Sequence, residues 1–443
     1  MEKLSFPELS IYRESNDYII HNFQLNSWVV LNEKEYMIAS ELIFNKKSVG
    51  ELIGVIEDKN LVNYVVNLLL LYKIGFRGEL PQDYNDYFLN VNNSLEGMKP
   101  SVVYFVTTYK CNLNCIYCYA ESSPQRSMDG DLTTEEALNM FDEIKELGAK
   151  TIVFTGGEAF LRKDIFELME YVKSLNMKVN VITNGSLIQN KKKAERLAKV
   201  ANLVTISLDS MNENEHDKNR GKGTWAKAKN AIDLLLESGC NIKINQTITK
   251  NNLFSSEQIL KFTKRNKIQL KIIPTSSLGR GKNDELSQSL NQDERREFEK
   301  ELYRLSEEDL ENNNYSSIKQ FEHRKHCGHG SGEFSIDSKG NVYLCKLMHE
   351  PNMLAGNIKA QELSKIYHQS PLFIEARKRT VYNLPECKKC TFKEFCGGGC
   401  RAIQASETGD INGTNYLECI YIRKSFRKQM WNYFQKSKKE VLI

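Results

Sequence analysis

Apolar and polar positions follow different periods along the chain. From 101 to about 275, six apolar runs recur: VVYFVTT, TIVFTGG, KVNVITNG, LVTISLDS, IKINQTIT and LKIIPT. Between them lie stretches with helical spacing: TTEEALNMFDEIKEL, DIFELMEYVKSL, QNKKKAERLAKV, TWAKAKNAIDLLLESG and SSEQILKFTKRN. Alternation of strand and helix predicts a parallel sheet in an α/β fold. Six strands favour an open sheet or a partial (β/α)6 TIM-like barrel over a closed eight-fold barrel. In either form the loops that carry chemistry leave the C-terminal ends of the strands.

Residues 1–95 have another pattern. SIYRES, DYIIHNF and SWVVLN alternate as short strands. Asn32 stands three positions before Glu35, and Ser48 three before Glu51, each ahead of an apolar run. Both pairs are capping-box signatures that predict helix starts. A third helix runs through LVNYVVNLLLLYKI and stops near Gly75. Three strands and three helices predict a small winged-helix-like module, followed by a polar linker over 78–100. Residues 281–326 are charged and Asn-rich and read as a helical linker, with DERREFEKELYRLSEEDLE as a surface helix. From 327 the periodicity weakens and cysteines take over, so 327–425 needs a staple other than a large core. YIRKSFRKQMWNYFQKSKKEVLI reads as an amphipathic helix, and 426–443 is set apart as a C-terminal helix. The resulting units are 1–95, 100–280, 281–326, 327–425 and 426–443.

A chain of 443 residues is too long for one ordinary core, which agrees with several units. The net charge of +4 is small, and no basic run interleaves with aromatics, which argues against nucleic acid. KKKAER at 191–196 reads as the solvated start of a helix. The N-terminus lacks a secretory pattern, and the longest apolar run, 61–72, is too short for a bilayer. The expectation is a cytoplasmic chain with no membrane partner. In a reducing compartment, clustered cysteines act as metal ligands or catalytic groups, and 11 is an odd number for disulfides.

Three cysteines, Cys111, Cys115 and Cys118, crowd into CNLNCIYCYA at the end of the first apolar run. A structural zinc site wants a fourth ligand nearby, and 119–215 contains no His or Cys. An iron–sulfur cluster on three thiolates keeps one iron open for a small molecule. The spacing C-x3-C-x2-C, with Tyr117 before the last Cys, resembles the radical S-adenosylmethionine (radical SAM) superfamily. TGGEAFLRKDI, TNG, SLD and HDKNRGKGTW resemble the loops with which that superfamily contacts SAM. The resemblance implies cofactor contacts from Tyr117, Gly156, Gly157, Glu158, Asn184, Ser207, Asp209 and Arg220. It places the Gly-Gly-Glu loop of TGGEAFLRKDI at the methionine amine and Arg220 at the carboxylate, where a guanidinium fork suits it.

Seven further cysteines follow: Cys327 and Cys345, then Cys387, Cys390, Cys396 and Cys400, then Cys419. Seven suits two iron–sulfur clusters better than zinc alone. The spacing resembles the SPASM extension of peptide-modifying radical SAM enzymes. That resemblance implies Cys327, Cys345 and Cys400 on a first auxiliary cluster, with an open iron or a His ligand from His323, His326 or His329. It implies Cys387, Cys390, Cys396 and Cys419 on a second, and three [4Fe–4S] clusters in all. Cys240 stands alone and reads as structural.

The first 95 residues resemble the peptide-recognition modules of maturases of ribosomally synthesised peptides, which bind a leader as an added strand. With the two cysteine regions, the chain resembles the sactipeptide (subtilosin-type) maturases of bacteriocin biosynthesis. The resemblance implies thioether formation between a Cys sulfur and carbon through a 5′-deoxyadenosyl radical. It implies a Cys-containing precursor peptide and an electron donor such as flavodoxin or ferredoxin as partners. Carbon–carbon crosslinking, epimerisation and formylglycine formation are the alternatives among enzymes. A zinc-bearing binding or regulatory protein is the alternative outside them.

Overall fold

The computed structural model describes residues 3–81, 84, 98–311 and 324–441. The N-terminal unit holds a short ribbon strand β1 (Leu4–Ser5), then β2 (Ser10–Glu14), β3 (Asp17–Asn22) and β4 (Ser27–Leu31). β2, β3 and β4 form an antiparallel sheet in that order. Three helices follow, Glu33–Ile43, Val49–Val55 and Lys59–Leu71, the first two started by the Asn32/Glu35 and Ser48/Glu51 capping boxes. β5 (Phe76–Arg77) then returns to pair with β1. That ribbon was not legible in the sequence, because two residues carry no periodicity. Most of the polar stretch expected as a linker at 78–100 lies outside the described residues.

β6 (Val102–Val106), β7 (Thr151–Thr155), β8 (Lys178–Thr183), β9 (Leu203–Ser207), β10 (Ile242–Ile248) and β11 (Gln269–Pro274) are the six expected strands. They are parallel and adjacent in chain order. Their helices occupy Thr134–Glu146, Ile165–Ser174, Lys191–Val200, Thr224–Glu237 and Ser256–Arg265. Alternate strand residues such as Phe105, Phe154, Val181, Ile206 and Ile244 are buried against them. A helix not foreseen, Glu213–Arg220, follows β9. Its sequence ENEHDKNR has no apolar stripe, and what starts it is Asn212, which accepts from the Asn214 and Glu215 backbone N–H groups.

The sheet does not stop at six strands. β12 (Glu333–Ile336), from the cysteine-rich region, adds parallel to β6, and β13 (Asn341–Tyr343) and β14 (Leu354–Asn357) add antiparallel beyond it. The order is β11-β10-β9-β8-β7-β6-β12-β13-β14. The region holding Cys345 therefore continues the sheet whose strand β6 leads into Cys111. The surface helix of the linker spans Gln292–Glu311. The last helix, Tyr416–Val441, begins earlier than its apolar pattern suggested and takes in Cys419. It docks on the N-terminal unit: Met430 and Phe434 share a core with Ile20, Val29, Phe392 and Phe395.

Candidate metal and cofactor site

The Cys111 loop leaves the C-terminal end of β6 and is fixed by backbone contacts with the loop after β7. Gly157 donates its N–H to the Thr108 carbonyl at 2.7 Å, and Glu158 to the Lys110 carbonyl at 3.0 Å. A Cβ on Gly156, whose φ is +140°, would lie 2.4 Å from the Thr108 oxygen. One on Gly157 would lie 2.1 Å from the Lys110 oxygen. Only glycines permit this approach. Glu158 is fully buried and accepts from Thr183 Oγ1 at 2.7 Å, Asn184 N at 2.9 Å and Phe160 N at 3.2 Å. Burial pushes its carboxyl up, and these donors oppose that shift. Glu158 thus ties the loops after β7 and β8 together.

Asn184 is the next link. Its amide donates to Asn112 Oδ1 at 3.1 Å and lies 3.9 Å from Cys111 Sγ, while Leu113 N donates to that sulfur at 3.4 Å. Such N–H donors stabilise a thiolate. Burial pushes the Cys111 thiol up to about 12 and Cys115 up to about 11. Ligation here would release protons, since the ligating form is the thiolate.

Asp209, at the end of β9, is fully buried and takes a two-pronged ion pair from Arg220 Nε and Nη2, both at 2.9 Å. Burial alone would raise its carboxyl, but the guanidinium beside it holds it below the usual carboxylate range. Tyr117 donates its hydroxyl to the same carboxylate, and Arg220 sits 5.4 Å from the centre of the Tyr117 ring. Tyr117, Asp209 and Arg220 are one assembly against the cysteine loop, with Arg220 already engaged by Asp209. Ser207 closes β9 half-buried, in register with Asn245.

Gly279, Arg280 and Gly281 escaped the sequence reading. Arg280 donates to the carbonyls of Cys115 at 2.8 Å and Ser122 at 2.9 Å, and its backbone N–H to that of Cys118 at 3.1 Å. A Cβ on Gly279 would lie 2.3 Å from the Tyr119 oxygen. The clue was positional: G-R-G follows the sixth strand at the end of the sheet where functional loops gather.

The remaining cysteines sort into two neighbourhoods. Cys327, Cys345 and Cys400 lie within electrostatic reach of one another. Leu347 N donates to Cys345 Sγ at 3.3 Å, and His329 Nδ1 lies 3.1 Å from Cys327 Sγ. His326 instead accepts from Gly328 N at 2.8 Å, and His323 lies outside the described residues. Cys387, Cys390, Cys396 and Cys419 line one cavity together with Arg401 and Arg423. Burial pushes Cys396 up to about 11. Cys240 is buried apart from both, its sulfur 3.8 Å from the Asn241 carbonyl.

Among the described residues no three His, Cys, Asp or Glu side chains gather closely enough for a single metal ion. Zinc would draw its donors to about 2.0–2.3 Å from one centre. A multi-iron cluster spreads its thiolates over several irons, and buried thiols with N–H donors to sulfur fit that chemistry.

Residues 105–262 match the Radical SAM superfamily, and 327–391 match SPASM, an iron–sulfur cluster-binding domain. The AdoMet-dependent heme synthase of Methanosarcina barkeri is 28% identical over 355 residues, 73% of this chain and 97% of the relative. The antilisterial bacteriocin subtilosin biosynthesis protein AlbA of Bacillus subtilis is 28% identical over 356 residues, 72% of this chain and 77% of its own. Among solved structures, SuiB of Streptococcus suis bound to S-adenosylmethionine gives a TM-score of 0.56 at 17% identity, covering 93% of this chain and 98% of its own. SuiB bound to its precursor peptide SuiA gives 0.53 at 18% identity, covering 91% and 96%. No described helix is long and apolar enough to cross a membrane.

Proposed function

We propose, from the radical SAM domain and the SPASM iron–sulfur domain that this chain carries, that it is a maturase of a ribosomally made peptide. In this reading it joins a Cys sulfur of the peptide to a carbon of another residue. The observation that carries the reading is the sorting of ten cysteines into neighbourhoods of three, three and four. Cys111, Cys115 and Cys118 would hold a cluster that keeps an iron for SAM. Cys327, Cys345 and Cys400 would hold a first auxiliary cluster, and Cys387, Cys390, Cys396 and Cys419 a second. When bound, SAM and these clusters would supply hydrogen-atom abstraction from carbon and one-electron transfer.

The chain's own residues position and enclose. Gly156, Gly157 and Arg280 fix the backbone of the cysteine loop, and Asn184 and Leu113 present donors to Cys111. Glu158, Ser207 and the Tyr117–Asp209–Arg220 assembly stand at the strand ends where SAM would lie. The outer strands β2 and β4 of the N-terminal sheet are the edges to which a leader would add. SuiB has been solved with its precursor peptide, and AlbA serves subtilosin biosynthesis; both support a peptide as substrate.

The heme synthase relative favours a second reading, another reaction on the same machinery. One experiment separates them. Reconstituted protein is incubated anaerobically with SAM, reductant and a Cys-containing precursor peptide. A two-hydrogen mass loss from the peptide, with alkylation-resistant sulfur, supports thioether formation. Deoxyadenosine without that loss overturns it.

A further inference from the structure

The face of the sheet opposite its helices carries an excess of positive charge. The strand register puts Lys243 of β10, Lys271 of β11, Tyr104 of β6 and Glu333 of β12 on one side. Lys346, next to Cys345, extends onto the same face, with its Nζ 4.4 Å from the centre of the Tyr104 ring. Lys271, Lys243 and Glu333 are all within electrostatic reach of it. Lys346 and Lys271 thus share the Glu333 carboxylate. Among the described residues neither Lys271 nor Lys346 closes an ion pair.

Two further observations point to a guest. Asn245, in register with Lys271 and on the same face, has a buried side-chain oxygen without a hydrogen-bond partner. A buried acceptor left unpaired is unfavourable until a donor arrives. Tyr119 is within electrostatic reach of Cys118, of Cys345 and of Tyr104 on the basic face, so that face borders both cysteine regions.

We propose that this face selects an acidic residue of the peptide. Its carboxylate would sit on Lys346 and Lys271, and a peptide N–H would reach Asn245 Oδ1. The inference rests on the reading of the substrate as a peptide and adds its chemical class. A carboxylate would compensate the excess charge, whereas a lysine at the same place would meet repulsion.

The test measures binding and chemistry separately. Short synthetic peptides with one Cys and one Asp, Asn or Lys nearby are titrated against reconstituted enzyme by fluorescence anisotropy. The expected result is that the Asp peptide binds about tenfold or more tighter than its Asn twin. Lys346→Met and Lys271→Met should each erase most of that preference, and Lys346→Arg should keep it, which controls for folding. Equal affinity for the Asp and Asn peptides, or a preference unchanged in both Met variants, overturns the inference. Mass analysis of the same peptides after addition of SAM and reductant bears on the thioether reading alone. Asp preference without mass loss keeps this inference and removes that reading.

Discussion

Cys111 and Cys390 stand in surroundings built from different forces. Around Cys111 the contacts are polar and come from loops at one end of the sheet: Gly157 and Glu158 to the loop backbone, Asn184 and Leu113 to the sulfur, Arg280 to the carbonyls. Around Cys390 and Cys396 they are apolar and distant in sequence. Phe392 and Phe395 lie between these cysteines and pack against His21 with ring centres 5.7 and 5.6 Å apart, and Phe395 meets Trp28 at 6.0 Å. Asn26 donates to Glu394 at 3.1 Å, and Trp28 Nε1 to the Met430 carbonyl at 3.0 Å. The helix that begins beside Cys419 ends on the same N-terminal sheet. The first site is thus pre-organised by the sheet it stands on. The last is assembled from three parts of the chain, so the proposed cluster loading on its cysteines would be linked to docking of the N-terminal unit.

The largest expected effect isolates the first region. Cys115→Ala should abolish SAM cleavage while hydrogen exchange in β2, β3 and β4 stays as in the parent protein. A loosened N-terminal sheet in that variant would break the contrast. Next comes Phe395→Ala, which should destabilise the docked N-terminal unit by about 3–5 kcal/mol. Its amides should exchange faster, while SAM cleavage without peptide is retained.

Acid should weaken both regions, the docking surface through His21 and the Asp209 assembly through His216, which is lowered to about 4 by burial. His21 is buried, and burial, with Lys393 nearby, lowers it to about 3. Below about pH 6.5 the unfolded chain binds a proton there that the folded chain does not. Stability at the docking surface therefore declines as pH falls from about 6.5 toward 3. Asp209 is held low, so its contribution is full above the ordinary carboxylate range and is lost only as pH falls below about 4. Exchange rates in the N-terminal sheet should rise as pH falls through the His21 window, and His21→Leu should flatten that rise. An unchanged pH profile in that variant would contradict the assignment. The smallest effect belongs to Trp28→Phe, which removes one hydrogen bond to Met430 and should lower stability by about 1 kcal/mol, measured by denaturant midpoint.

The sequence made one of these regions much more legible than the other. Strand ends at β6, β7, β8 and β9 carry their chemistry in short contiguous motifs, so Cys111, Gly157, Glu158 and Asp209 could be named from spacing and resemblance. The docking of Trp28 on Met430 joins residues 402 positions apart and leaves no local pattern. β12 offers four residues, too few to show a period, so its place beside β6 had to come from the fold. Arg280 acts through backbone carbonyls, which no sequence motif displays. The pairing of Arg220 with Asp209 is hidden for a related reason: the resemblance assigns each residue separately to a small molecule.

Iron and zinc analysis of the chain purified and reconstituted without oxygen tests the central claim most directly. Three neighbourhoods of cysteines predict about twelve irons per chain, falling by about a third when Cys111, Cys115 and Cys118 are replaced together. A colourless protein loaded with zinc, or one whose iron content is unchanged by that triple replacement, would contradict the account.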